Sequence, residues 1–138
     1  MPAKRRRALS LMERMYGLDI DQVTRDMAEL RRQMKTLKAN REDLRERLTR
    51  ERNVTSREAQ PYVASFVDAV TRQMRRLEHK MLELEPELIK HETRLRDLYQ
   101  QQKIYESVRL KDLRDEQAAR QKREQGELEE LTLLRWNR

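Results

Sequence analysis

Apolar residues recur at alternating steps of three and four along most of this chain, and that seam limits the fold more than any other feature. In the first half, Leu9, Tyr16, Val23, Leu30, Leu37 and Leu44 follow one another at steps of seven. Ile20, Met27, Met34, Arg41 and Leu48 run between them with the same step. The second half reads Val63, Val67, Val70, Met74, Leu77, Met81, Leu84, Leu88, His91, Leu95, Leu98, Gln102 and Tyr105. Only Arg41, His91 and Gln102 interrupt it with a strongly polar side chain. A half-buried strand has a period of two, and a disordered segment has none. Steps of three and four belong to a coiled coil. Residues off the seam are mostly charged. Asp21–Arg25, Asp43–Arg47, Glu46–Arg50 and Glu92–Arg96 stand at the i, i+4 spacing that supports a helix.

Composition agrees with a narrow core. Charged residues make up 41% of the 138 and hydrophobic residues 36%, too little apolar material for a thick globule but enough for a seam. The length fits one domain. With no Cys there is no disulfide framework, thiolate nucleophile or Cys-based zinc site. Two Gly leave no room for a glycine-rich phosphate loop. The only histidines, His79 and His91, are too far apart for a helix-borne metal pair. No apolar run approaches the ~18 residues of a membrane span. The basic patch Lys4–Arg7 followed by Ala8–Tyr16 does not fit a signal peptide, because Glu13 and Arg14 interrupt the apolar part. No cofactor, metal, small-molecule substrate or catalytic residue is expected. The net charge of +7 comes from 32 basic and 25 acidic residues, interspersed rather than in blocks, which argues against a nucleic-acid surface.

The seam loses phase over Arg52–Pro61. Asn53, Val54, Thr55 and Ser56 are mediocre helix formers, Thr55 with Glu58 fits a capping box, and Pro61 fits the first turn of a new helix. The fold class is therefore all-α, an antiparallel two-helix coiled-coil hairpin in one domain. Helix one is expected over about 8–51, a turn over about 52–56, and helix two over about 56–132. A register in which paired residue numbers total 111 makes the layers Leu48–Val63, Leu37–Met74, Leu30–Met81, Val23–Leu88 and Tyr16–Leu95 apolar. Helix two then outruns helix one, and residues beyond about 105 have no partner in the hairpin. Pro86 falls on the outer face with the heptad phase unchanged across it, so a bend is expected there rather than a break into a third helix.

Each unusual position has an ordinary and a sharper reading. His91 fits a polar seam residue that fixes register, against a pH switch or metal ligand. Arg41 fits a packed stem with its guanidinium at the rim, against a partner contact. Met27, Met34, Met74 and Met81 fill consecutive layers and suit either core filling or a zone that opens. Arg5, Arg6 and Arg7 are either a solvated terminus or an anion contact. The C-terminal run carries Arg120, Arg123, Glu124, Gln125, Glu127, Leu128, Leu131, Leu134 and Trp136 on the expected overhang. An apolar stripe there needs a partner protein, a fold-back or a second copy.

The arrangement Lys103-Ile104-Tyr105-Glu106, a charged stretch, then Glu124-Gln125-Gly126-Glu127-Leu128-Glu129-Glu130-Leu131 resembles the C-terminal signature of the flagellar FliJ family. That signature is roughly Glu-Gln-Lys-Glu-Leu-Asp-Glu, then small and apolar residues and Arg. Gly126 stands where the family usually has Lys, and Glu129 where it has Asp. Arg135-Trp136 also fits, and Ala8-Leu9-Ser10-Leu11-Met12-Glu13-Arg14-Met15 is similar to the family's opening helix. Gly126 weakens the helix locally by about 1 kcal/mol relative to Ala and leaves the straightness of the last segment open.

The resemblance implies a non-enzymatic stalk of the bacterial flagellar type III protein export apparatus, cytoplasmic and peripheral to the inner membrane. Its implied partners are the central pore of a hexameric export ATPase, the cytoplasmic domain of the export gate, and export chaperones. The pore contacts it implies fall on Arg120, Arg123, Glu124, Gln125, Glu127, Leu128, Leu131, Leu134 and Trp136, with Arg5, Arg6 and Arg7 beside them. The equivalent stalk of a virulence injectisome is one alternative, and an export chaperone or coiled-coil adaptor is another.

Overall fold

The computed structural model describes residues 2–53, 58 and 60–137, and among them there are two α-helices and no strand. Helix α1 spans Pro2–Arg52 and α2 spans Gln60–Trp136, 51 and 77 residues long. The two pack against each other as an all-α helical hairpin. Helix α1 begins earlier than the periodicity indicates, because the seam itself starts only at Leu9. Asn53 donates its N–H to the Arg50 carbonyl at 3.3 Å, closing the last turn of α1. Thr55 of the expected capping box lies outside the described residues. Pro61 stands in the first turn of α2, where its missing N–H costs nothing.

The chain divides into two compact units, each drawing on both helices. A central unit comprises Gln22–Leu95, and a terminal unit joins Met1–Asp21 to Arg96–Arg138.

In the central unit Val23, Met27, Leu44 and Val70 are buried. Leu30, Met34, Leu37, Arg41 and Leu48 are half-buried, as are Val63, Val67, Met74, Leu77, Met81, Leu84, Leu88, His91 and Leu95. The seam read from the sequence is therefore the face that packs. Arg41 keeps its Nε buried without a hydrogen-bond partner, alongside Met34, Lys38, Met81 and Leu88. His91 holds its Nδ1 2.7 Å from the Glu87 carbonyl. A carbonyl only accepts, so Nδ1 carries the proton and His91 is tied to its own helix. Helix α2 runs through Pro86 without a break, and Pro86 is exposed. The lost hydrogen bond faces water, which is why the helix tolerates it.

In the terminal unit Ile20 and Leu98 are buried, and Leu9, Tyr16, Gln102 and Tyr105 are half-buried. The seam does not stop at Tyr105. Val108, Arg109, Asp112, Leu113 and Glu116 are half-buried too, and exposure on all sides begins at residue 117. The register differs from the one expected. Tyr16 stacks on Tyr105 rather than facing Leu95. In the central unit, likewise, Arg31 pairs with Glu92. The displacement is ten residues at Tyr16 and twelve at Arg31, about three helical turns. Its cause is physical: the seam repeats at steps of three and four, so such a slide still sets seam residue near seam residue, as with Leu37 and Leu84. Helix α2 starts at Gln60, later than expected.

Candidate partner-binding surface

The terminal unit places the predicted residues in two groups with different surroundings. Beyond the last packed turn, α2 continues as one helix through Gly126 to Trp136. An added Cβ at Gly126 would meet nothing within 4 Å, so the glycine serves no close approach. Thr132 Oγ1 donates to the Leu128 carbonyl at 2.8 Å, and the Asn137 N–H donates to the Leu133 carbonyl at 3.1 Å. These bonds complete the backbone of the last turns, which the helix must supply unaided.

Arg120, Arg123, Glu124, Gln125, Glu127, Leu128, Leu131, Leu134 and Trp136 are all exposed on this segment. Leu128 is 64% exposed, Leu131 60%, Leu134 66% and Trp136 87%. Leu133 joins them at 61%. Exposed single leucines are ordinary, but five large apolar side chains within nine positions of a helix that packs on nothing mark a surface awaiting cover.

The N-terminal arginines belong to the hairpin instead. Arg5 Nε pairs with Asp112 Oδ2 at 2.6 Å, and Arg6 Nη2 with Glu116 Oε2 at 2.9 Å. Arg109 forks onto Glu13 through Nε at 2.6 Å and Nη2 at 3.3 Å. That hydrogen bonding holds the Arg109 guanidinium above its ordinary pKa; desolvation opposes the rise, and the charges of Glu13 and Glu106 add to it. Arg7 makes no ion pair among the described residues and is exposed. Arg6, Arg7, Arg14 and Arg109 line one groove of about 500 Å³ with Ser10, Leu11 and Leu113. The basic patch is thus divided: Arg5 and Arg6 clamp the helices together, and Arg7 faces out.

Gln102, a polar interruption of the seam, donates from Nε2 to the Glu13 carbonyl at 3.1 Å. Gly17 makes room for it, since a Cβ there would stand 3.3 Å from that nitrogen. Seam position alone did not indicate this role, but Gly17, a glycine directly beside the seam residue Tyr16, was the available signal.

A second apolar stripe was not singled out from the sequence. Leu11, Met15 and Leu18 are 56%, 52% and 62% exposed along α1, off the seam, with Leu11 at the edge of the groove shared with Arg109 and Leu113. Their i, i+4, i+7 spacing, offset from the seam, carried that information. Among the described residues no group of His, Cys, Asp or Glu could hold a metal ion, and no helix is long and apolar enough to cross a membrane. Comparison with family models, with curated proteins and with solved structures yields no match.

Proposed function

We propose that this chain is a non-enzymatic stalk of the flagellar type III export apparatus, seated by its terminal unit in the pore of a hexameric export ATPase. One observation carries the reading: α2 outruns α1 and exposes Leu128, Leu131, Leu133, Leu134 and Trp136 among charged neighbours. A rigid helical projection with mixed charge and apolar side chains suits a ring lining that must be gripped and released. The resemblance over residues 103–136 names the ring. The shaft, with charges of both signs along it, is the surface offered to the export gate's cytoplasmic domain and to export chaperones. This reading puts the protein in the cytoplasm, against the inner-membrane apparatus. The equivalent stalk of a virulence injectisome is the alternative reading.

The test is the hydrolysis rate and hexamer fraction of the cognate export ATPase with and without the full chain. Both rise under this reading, and removal of residues 120–138 abolishes the rise while helicity per residue is kept. No change at saturating protein overturns it and favours an export chaperone or adaptor, which would bind cargo instead of the ring.

A further inference from the structure

The exposed overhang of α2 and an exposed face of α1 off the seam carry matching patterns. Along α1, Lys4, Arg7, Ala8 and Leu11 stand at i, i+3, i+4 and i+7, and all four are exposed. Along the overhang, Glu127, Glu130, Leu131 and Leu134 stand at the same offsets and are likewise exposed. Among the described residues, Lys4, Arg7, Glu127 and Glu130 make no ion pair. In each set the charges come first and the apolar group last. Cations on one side meet anions on the other, and Leu134 meets Leu11, only when the two segments run parallel.

Within one chain this is impossible. The ion pairs Arg5–Asp112 and Arg6–Glu116 fix α1 antiparallel to α2, and α2 is unbroken to Trp136. A second copy related by a two-fold axis across the helices brings its α1 parallel to the overhang. We propose that this chain forms a reversible two-fold dimer in which each copy's overhang lies on this exposed face of the other's α1. Glu127 then faces Lys4, Glu130 faces Arg7, Leu131 faces Ala8 and Leu134 faces Leu11, each contact made twice. Arg120, Lys122 and Arg123 fall near the axis and repel their own copies. That repulsion, with a net charge of +7 on each chain, keeps the dimer weak. About two turns of helix on each side place it with transient interfaces, of about 1,200 Å² or less. The proposal is independent of the export reading; where both hold, dimer and ring compete for one overhang.

Sedimentation equilibrium of the full chain from micromolar to sub-millimolar concentration tests it. A monomer–dimer equilibrium is expected. Arg7→Glu and Glu130→Arg should each raise the dimer Kd by about tenfold or more, because like charges then face each other. An equimolar mixture of these two variants should recover the wild-type Kd, since each mixed dimer contains one native pair and one reversed pair. Unchanged circular dichroism of both variants shows that the fold is kept. A monomer at all concentrations, or a mixture no tighter than either variant alone, overturns the proposal. So does a monomer whose hydrodynamic radius depends on the Arg7–Glu130 charge pair, which would indicate fold-back.

Discussion

Tyr16 and Tyr105 stack with ring centroids 5.5 Å apart and planes 26° from parallel. The pair sets the register of the terminal unit, because a slip of one heptad in either direction would separate the rings. A double-mutant cycle with Tyr16→Leu and Tyr105→Leu should give a coupling of about 0.5–1.5 kcal/mol in thermal or urea unfolding. The absence of native Cys permits a direct check. Tyr16→Cys combined with Tyr105→Cys should close with a short bifunctional crosslinker, and Tyr16→Cys combined with Leu95→Cys should not. The reverse result would restore the register in which numbers total 111.

The contrast between these registers marks what a repeating sequence can and cannot encode. Every seam position named from periodicity, from Leu9 to Tyr105, is buried or half-buried, including Arg41, His91 and Gln102. Face selection was legible because one misplaced step would put charges inside. Register was not, because a slide by whole seam steps preserves most of the apolar match and the discriminating contacts are individual: Glu13 with Arg109, Gln102 with a carbonyl, one tyrosine on another. The overhang was legible as an excess of helix, but its starting point depended on the register and moved to residue 117. The split role of Arg5, Arg6 and Arg7 was illegible because Asp112 and Glu116, which pair with Arg5 and Arg6, are more than a hundred residues away in sequence.

Gly126 and Gly17 both sit in helix interiors, and they should respond differently to alanine. At Gly126 the added methyl meets nothing, so Gly126→Ala should stabilise the end of α2 by about 1 kcal/mol, read as increased amide-exchange protection around residues 122–130. At Gly17 the methyl lies 3.3 Å from Gln102 Nε2, so the same propensity gain is offset by displacement of the bond to the Glu13 carbonyl. Gly17→Ala should therefore gain less than Gly126→Ala. Adding Gln102→Ala should make the Gly17 substitution more favourable, a non-additivity of roughly 0.5–1 kcal/mol. Equal gains at the two glycines would contradict the close approach.

Arg41 occupies a seam position with its Nε buried and without a hydrogen-bond partner. An unsatisfied buried donor costs about 1–3 kcal/mol, and Met is similar in length without the polar group. Arg41→Met should stabilise the central unit by about 1 kcal/mol or more in urea unfolding. Destabilisation would mean that the guanidinium contributes more at the rim than its Nε loses inside.

Pro86 leaves the Leu82 carbonyl without its helical donor, on the exposed side of an otherwise continuous helix. A proline inside a helix is about 3 kcal/mol less favourable than alanine, from the lost bond, the ring clash and propensity together. Here water reaches the freed carbonyl, so part of that penalty is already relieved. Pro86→Ala should raise stability by about 1–3 kcal/mol and increase exchange protection of the amides flanking position 86. The substitution adds no contact on the seam, so any gain belongs to the backbone of α2 alone. If stability were unchanged, the helix would already have absorbed the proline through a local bend, and the measured gain therefore separates strain held at Pro86 from strain dissipated along α2.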